Sequence, residues 1–409
     1  MNADILPNDA GTMDRGTTRD EMTARWSSLA KDIAASGGSP SADDVFRKGR
    51  LVVIGSGLSH IDLLGDAEDE IRQADHVFHC TNDRVTQVWL GKLRPDAFDL
   101  RILYDDGLPR HHTYIRMVEA IAHFVRQGKR VTAIFYGHPG VFATPAHRAI
   151  AILRAEGHDA KMRPGISALD YLVADLGFDP ALPGLLSYEA TDMLLNRRCI
   201  DPSLHVVIWQ VGVVGEFAFN PRGFENRGFD LLLDVLAEIY GEDWEIAHYI
   251  APQYVGVEPL IETMALSDLR DVEKRKNISS LSTFYIPPKM AVAMDKERAV
   301  ELGLLVADQA EPSPQRDFVN RSYGEYEMDA IRSLAAFSVP PYYYVEQPSP
   351  AADFMLAVSN DAELRERYVR DPAAVLSAPE FDKLNDRARR LLTIHHPLAI
   401  GAALSEPPL

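Results

Sequence analysis

Residues 51–55 read LVVIG, an unbroken apolar run closing on glycine. A half-solvated strand alternates apolar and polar residues, whereas a run without alternation suits a strand buried on both faces of a parallel sheet. ADHVFHC at 74–80, RVTAIFYG at 130–137 and HDAKMRPG at 158–165 repeat the theme, with helical stretches between them. The clearest helix is expected to begin at Thr144 as N-cap, with Pro145 at the first helical position and Gly157 near its stop. Strands alternating with helices predict an α/β domain over 49–180. A second series, LHVVIWQVG at 204–212, EIAHYIAP at 245–252 and SSLSTFYIPP at 279–288, with the helical FDLLLDVLAEIYG at 229–241, predicts a second α/β unit over 181–289.

Outside these units the texture changes. Residues 1–48 are polar, with SGGSPSADD at 36–44, and predict an extension with one short helix over Glu21 to Ala35 and no chemistry. Residues 290–350 carry two helical patterns, MDKERAVELGLLVADQA and GEYEMDAIRSLAAF, then the Pro- and Tyr-rich VPPYYYVEQPSP. The tyrosines at 342–344 are read as a packed connector. Residues 351–404 predict several short helices, with Leu364 and Tyr368 one turn apart, and Leu384 and Ala388 likewise. A short tail, 405–409, follows.

Composition narrows the function classes. With 46% hydrophobic and 25% charged residues, the 409-residue chain has ordinary globular usage and length enough for two or three domains. A formal net charge of −18 argues against nucleic acid, whose affinity rests on neutralising phosphates with Lys and Arg. The 2 cysteines, Cys80 and Cys199, lack metal-ligand spacing and are read as buried thiols in a reducing compartment. The first residues lack the basic start and apolar run of a secretory signal, and no stretch reaches the length of a membrane span. The reading is a cytoplasmic chain with no membrane partner.

Three loops carry candidate chemistry. GSGLSH at 55–60 follows a strand, but His60 stands where the third glycine of a dinucleotide fingerprint belongs, so that fingerprint fails. YGHPGVF at 136–142 and RPGISALDY at 163–171 each put Pro-Gly just after an apolar strand, at the carboxyl ends where open α/β sheets bind ligands. Glycine lets backbone approach a ligand closely, and proline stiffens the turn. Each loop alone is also what a plain turn looks like; the three in this order are more specific. The pairs His111–His112 and His395–His396 are adjacent residues whose side chains diverge, so no metal is expected.

The series VIGSG, YGHPGVF and RPGISA, backed by a second α/β unit, resembles the tetrapyrrole (class III) methyltransferases over residues 50–289. Within that class LYDDGLPRHHTY at 103–114, FYGHPGVFATPAHRA, YEATD at 188–192, WQVG at 209–212 and STFYIPPK at 282–289 resemble motifs of the borosin peptide backbone α-N-methyltransferases. The resemblance implies a tetrapyrrole-methylase-like pair of α/β domains with S-adenosylmethionine in the crevice between them. It implies that Gly55, Gly57, Tyr136, His138, Val141, Phe142, Ser167, Ala168 and Gln210 line the cofactor site. It further implies that 290–350 is a helical clasp wrapping a partner in an interlocked homodimer, and that 351–404 is a leader-like borosin-binding domain.

The same resemblance places the peptide chemistry at 103–114. An amide nitrogen is a poor nucleophile because its lone pair is shared with the carbonyl. Its methylation needs loss of the N–H proton and stabilisation of negative charge on oxygen. Tyr104, Arg110 and Tyr114 are the candidates, as proton acceptor and oxyanion hole, with the arginine lowering a neighbouring tyrosine's pKa. Arg110 and Tyr114 share a face if a helix starts by Arg110. Without the resemblance, a surface arginine beside half-buried tyrosines is the plainer reading. Arg101 is a departure, standing where fungal members of the family tend to have another tyrosine, and it bears on which group acts as base. The acceptor is a peptide, either the chain's own C-terminus or a separate one; since 381–404 keeps helical spacing, a leader-like domain with little or no core is favoured over LLTIHHPLAIGAALSEPPL as an extended core. The alternatives are a small-molecule methyltransferase with a regulatory tail and a non-catalytic peptide-binding relative.

Overall fold

Alternate residues of LVVIG are buried on opposite faces of one sheet. Leu51 and Val53 pack with Trp26, Met117 and Ile121, while Val52 and Ile54 pack with Ile71 and Leu90. Two apolar layers thus claim successive residues, which is why the run does not alternate. The computed structural model describes residues 19–38, 46–105, 108–216, 223–252, 254–303, 322–341, 343, 345 and 347–405. The first 18 residues, the stretch 304–310, Tyr342, Tyr344 and 406–409 lie outside the described residues. The chain divides into two units, Met1–Arg316 and Asp317–Leu409.

In the first unit, β1 (Arg50–Gly55), β2 (His76–Cys80), β3 (Phe98–Asp99), β4 (Arg130–Phe135) and β5 (Asp159–Met162) form a sheet in the order β3-β2-β4-β1-β5. Every pairing in it is parallel. Helices α1 (Arg19–Ser36), α2 (Ala67–Gln73), α3 (Arg84–Leu93), α4 (Arg110–Arg126) and α5 (Thr144–Ala155) accompany these strands. The predicted extension helix contributes Trp26 and Leu29 to the core, with Trp26 edge-on to Phe98 at 5.4 Å. The N-cap of α5 is Ala143 and not Thr144, which sits within the first turn, and no side chain caps that end. Gly157, at φ +89, closes α5 as expected.

After α6 (Ala168–Leu176), the strands β6 (Leu185–Glu189), β7 (His205–Trp209), β8 (Glu245–Ile250), β9 (Leu260–Ala265) and β10 (Thr283–Ile286) form a second sheet in the order β6-β7-β10-β8-β9. This sheet is mixed: β6 and β7 are parallel, and the remaining pairs antiparallel. α7 (Ala190–Leu195) and α8 (Phe229–Tyr240) complete it, the latter burying Leu232, Leu233 and Leu236 against Phe284 and Ile286. A short α9 (Lys296–Glu301) follows. Cys80 is partly buried, but Cys199 is exposed, correcting the expectation that both thiols are buried. Cys199 lies in the turn after α7, where its carbonyl accepts the Tyr188 hydroxyl at 2.8 Å.

The second unit is helical: α10 (Glu325–Ser333), α11 (Pro350–Asn360), α12 (Ala362–Arg370), α13 (Pro372–Leu376), α14 (Asp386–Thr393) and α15 (Pro397–Leu404). Leu364, Tyr368, Leu384 and Ala388 are all buried, as their one-turn spacing predicts, with Phe354, Leu376, Leu392 and Ala403. Side chains of Ser349, Asp361, Asp371 and Asn385 cap successive helices, satisfying amides that have no intrahelical partner. The Arg389 guanidinium donates to carbonyls of Leu376, Phe381 and Leu384, tying three turns together. By contrast, Met328, Ile331, Leu334, Phe337 and Tyr343 leave the segment around α10 with an exposed apolar side. Among the described residues, no helix is long and apolar enough to cross a membrane.

Candidate active site

The three glycine loops meet. Gly57 and Gly137 form an isolated antiparallel bridge: the Gly137 amide donates to the Gly57 carbonyl at 2.9 Å, and the reverse bond is 3.3 Å. β1 and β4 are neighbours, so their carboxyl ends deliver these loops side by side. A Cβ on Gly55 would lie 2.2 Å from the Gly137 carbonyl oxygen and 2.8 Å from Pro139 Cδ. One on Gly165 would lie 2.9 Å from the same Pro139 carbon. Only glycine allows this approach. Gly137, at φ +70, differs: its missing Cβ would meet nothing within 4 Å, so the backbone there faces open space.

Tyr136 and His138 flank Gly137 and are half-buried, with His138 Nδ1 accepting the Gly140 amide at 3.0 Å. Burial, then the carboxylates of Asp83 and Asp62, pushes Tyr136 up to about 12. Val141 and Phe142 are exposed, and Phe142 holds the left-handed φ of +53. Its ring stands edge-on to Trp209 of the second sheet at 5.9 Å. Gln210, next to Trp209, is likewise left-handed at φ +60. Non-glycine residues in this sparsely allowed region concentrate at functional sites. Ser167 caps α6, its hydroxyl accepting the Leu169 amide at 3.2 Å and donating to Asp170 at 2.7 Å, while Ala168 packs between the sheets with Leu172 and Trp209.

Asp62 is a member of the site that motif reading missed. Its carboxylate accepts the Leu58 amide at 2.8 Å, the Ser59 amide at 3.2 Å and the Tyr171 hydroxyl at 2.9 Å. It therefore latches the first loop to α6, below the third. Burial, with Asp62, raises Tyr171 to about 12. The final residue of RPGISALDY was the available signal, because a tyrosine after a strand-to-helix loop needs a polar partner once half-buried. His60 stacks on Trp89 at 5.6 Å in a short helical turn, consistent with failure of the dinucleotide fingerprint.

Beside this crevice lies the second cluster. Cys80 ends β2, and its carbonyl accepts the Tyr136 amide at 3.1 Å. Its thiol, raised to about 12 by burial, adjoins Tyr104 and Tyr114. α4 begins at Arg110, so Arg110 and Tyr114 stand one turn apart on one face. The Arg110 guanidinium lies over the Phe224 ring at 5.8 Å. Tyr104 and Tyr114 share a side-chain hydrogen bond. Burial carries both above the ordinary tyrosine value, and Arg110 only partly offsets it. The expectation that the arginine lowers a tyrosine's pKa holds for its contribution and not for the net shift. Arg101 makes a bidentate pairing with Asp99, at 2.9 and 2.5 Å.

Neither histidine pair forms a metal cluster. Among the described residues no three His, Cys, Asp or Glu side chains gather closely enough to hold an ion. His111 and His112 are exposed on the first turn of α4, His395 packs edge-on to Tyr368 at 4.4 Å, and the His396 side chain accepts the Leu398 amide at 3.2 Å.

Residues 50–198 match the tetrapyrrole (corrin/porphyrin) methylases. The first unit is a methyltransferase of that fold. The chain is 38% identical to the methyltransferase/ribosomally synthesized cyclic peptide gymnopeptides precursor of Gymnopus fusipes, over 83% of this chain and 84% of that one. It is 35% identical to the corresponding omphalotin A precursor of Omphalotus olearius, over 88% and 89%. A type III borosin precursor methyltransferase of Anomoporia bombycina is 39% identical over 85% of this chain, which spans only 42% of that longer protein. The chain belongs to the family of borosin methyltransferase precursors.

Proposed function

We propose that the chain transfers a methyl group from S-adenosylmethionine to backbone amide nitrogens of a peptide. The observation that carries the donor site is the meeting of Gly55, Gly137, Pro139 and Gly165 around backbone that faces open space. Gly55, Gly57, Tyr136, His138, Val141, Phe142, Ser167, Ala168 and Gln210 would hold the donor there. When bound, the donor supplies an electrophilic methyl on a cationic sulfur. Carboxylates at Asp62 and Asp83 lie close enough to Tyr136 to raise it, a local field that suits a cation.

On the acceptor side, Tyr104, Arg110 and Tyr114 address the amide. Arg110 is placed to donate toward a carbonyl oxygen, stabilising charge that grows as the N–H proton leaves. The tyrosine pair is the proton acceptor in this reading, with Arg110 favouring the phenolate form of either member.

The exposed apolar side of the α10 segment, Ile331, Leu334 and Phe337 among it, supports a clasp that a second copy covers, in an interlocked homodimer. The helical unit 351–404 is read as leader-like. In it, α15 packs Ile400, Ala403 and Leu404 into the core and engages its amides in helical bonds, so this segment acts as part of the leader and not as acceptor. The two free cysteines fit a reducing compartment, the cytoplasm. Calorimetry with S-adenosylmethionine and S-adenosylhomocysteine, followed by tandem mass spectrometry of co-incubated peptides, tests the assignment: no donor binding, or methyl groups found only on side chains or a porphyrinoid, refutes it.

A further inference from the structure

A buried polar relay in the second sheet takes no part in the chemistry above. His248 of β8 has a fully enclosed side chain, 0% exposed; its Nδ1 lies 2.9 Å from Glu262 Oε2 on β9 and its Nε2 2.7 Å from Ser282 Oγ before β10. Ser282 Oγ also accepts the Ser279 amide at 2.8 Å, and Asn277 Nδ2 donates to the other Glu262 oxygen at 2.7 Å. For a neutral ring these contacts permit one proton arrangement. A carboxylate only accepts, so Nδ1 carries the proton; Nε2 then accepts from the Ser282 hydroxyl, whose oxygen takes the Ser279 amide. Every member is satisfied, and such networks fix position strongly when complete.

The order acid, histidine, serine is that of a nucleophilic triad, but Ser282 is 1% exposed. A nucleophile must come within about 3 Å of a reacting carbon, and a serine sealed on all sides does not. What the relay touches is more informative. The Ser282 carbonyl accepts the Val211 amide at 3.3 Å, and the Ser279 carbonyl oxygen occupies the place of a Cβ on Gly212, 1.9 Å from where one would be. The turn 279–282 is thus the seat of the loop 210–212. From the other side, the Asn226 amide group clamps the same loop, donating to the Val211 carbonyl at 3.0 Å and accepting the Val214 amide at 2.8 Å. Between these supports Gln210 is held at φ +60, a conformation a glutamine does not adopt unless its surroundings impose it.

We propose that His248 and Ser282 are positioning residues for methyl transfer: by fixing the turn 279–282 they hold the loop 210–212, and with it Gln210, in the left-handed shape that faces the donor. This rests on the reading of Gln210 as a donor contact. The relay links two motifs far apart in sequence, WQVG and the serine that opens STFYIPPK, through a histidine that belongs to neither.

The test is a double-mutant cycle in the full chain, read as the S-adenosylmethionine dissociation constant by calorimetry with kcat and thermal melting alongside. Gln210→Ala is expected to weaken donor binding on the order of five- to tenfold, the worth of one hydrogen bond. Ser282→Ala weakens it several-fold in the parent, yet by less than about twofold in the Gln210→Ala background, because the relay acts through that residue. Glu262→Gln keeps an acceptor for Nδ1–H and stays near parental affinity. If Ser282→Ala does not fold, Glu262→Ala, at the half-exposed end of the relay, gives the same comparison. Equal losses in both backgrounds, tracking a lowered melting temperature, would reduce the relay to packing and overturn the proposal. A Gln210→Ala effect with none from Ser282→Ala overturns the relay and leaves the donor site standing. No effect from Gln210→Ala removes Gln210 from the donor site and the proposal with it.

Discussion

Replacing Gly55 by alanine adds one methyl group at the point where all three loops touch. Its Cβ would stand 2.2 Å from the Gly137 carbonyl oxygen, while ordinary contact begins at 3.4 Å, so the 137–139 turn must retreat by about 1.2 Å or β1 must bend. Overpacking of this kind costs about 1–3 kcal/mol. Retreat also strains the two hydrogen bonds of the Gly57–Gly137 bridge, each worth about 1 kcal/mol. A total of about 2–4 kcal/mol lowers the melting temperature by roughly 3–6 °C for a unit of this size. A displacement of about 1 Å at a reacting site costs up to about a hundredfold in rate. The informative control is Gly137→Ala, whose methyl meets nothing within 4 Å and whose φ of +70 costs only about 1 kcal/mol. That variant is expected to melt within a few degrees of the parent and to lose donor affinity, because its methyl enters the crevice itself. Differential scanning calorimetry and donor titration on both proteins separate the effects. Unchanged melting and donor binding in Gly55→Ala would refute the convergence of these loops as the organising feature of the site.

Three further outcomes follow from the same structure. Arg110→Ala, Tyr104→Phe and Tyr114→Phe are expected to lower turnover on the order of a hundredfold with little change in donor affinity; near-full activity in both Arg110→Ala and Tyr114→Phe would sink the assigned roles. Cys80, Tyr136, Tyr171, Tyr240 and Tyr285 are raised by burial to about 12 in the folded chain. Such groups hold their protons more tightly when folded, so their stabilisation is intact below the unfolded values and is lost as pH climbs toward 12; the melting temperature should be level to about pH 9 and fall beyond it, and a level profile to pH 12 would contradict the burial. Finally, tandem mass spectrometry after incubation with donor should find backbone amides within 391–405 unmethylated, and single-methyl increments there would make α15 an acceptor and not a leader element.

The first sheet was legible because burial on both faces writes itself into composition: LVVIG and RVTAIFYG have no solvent side to signal. The same logic hid β3, only two residues long, and β9, whose LIETMA alternates at a sheet edge between a Pro-bearing loop and a helical turn. Thr144 was misplaced by one position because Pro145 is tolerated at either of the first two helical positions, and no side-chain cap bond marks the boundary. At the site, the glycine loops announced themselves through composition, whereas Asp62, Asn226 and the His248 relay did not. Their partners across the fold, such as Tyr171 for Asp62 and Ser282 for His248, lie 109 and 34 residues away, beyond any local pattern. Burial likewise decides the net direction of the tyrosine pKa values, and only packing, not the spacing of Arg110 and Tyr114, reveals that burial outweighs a neighbouring charge.

The strand order β3-β2-β4-β1-β5 has a consequence for how the chain acquires its shape. β1 pairs with β4 in the register Arg50↔Arg130 and with β5 in the register Arg50↔Asp159, so the first strand to leave the ribosome has no neighbour until about 80 more residues have been made. β2 meanwhile waits for the same β4, which must slot between the two. Nucleation by local hairpins is closed to such a sheet, and the loop-closure entropy is met before any pairing rewards it. β4 joins the halves of this sheet and in the same stroke brings Gly137 to Gly57. A chain stalled before residue 130 has β1 without a neighbour and β2 paired only with the two-residue β3, a species exposed to aggregation during synthesis.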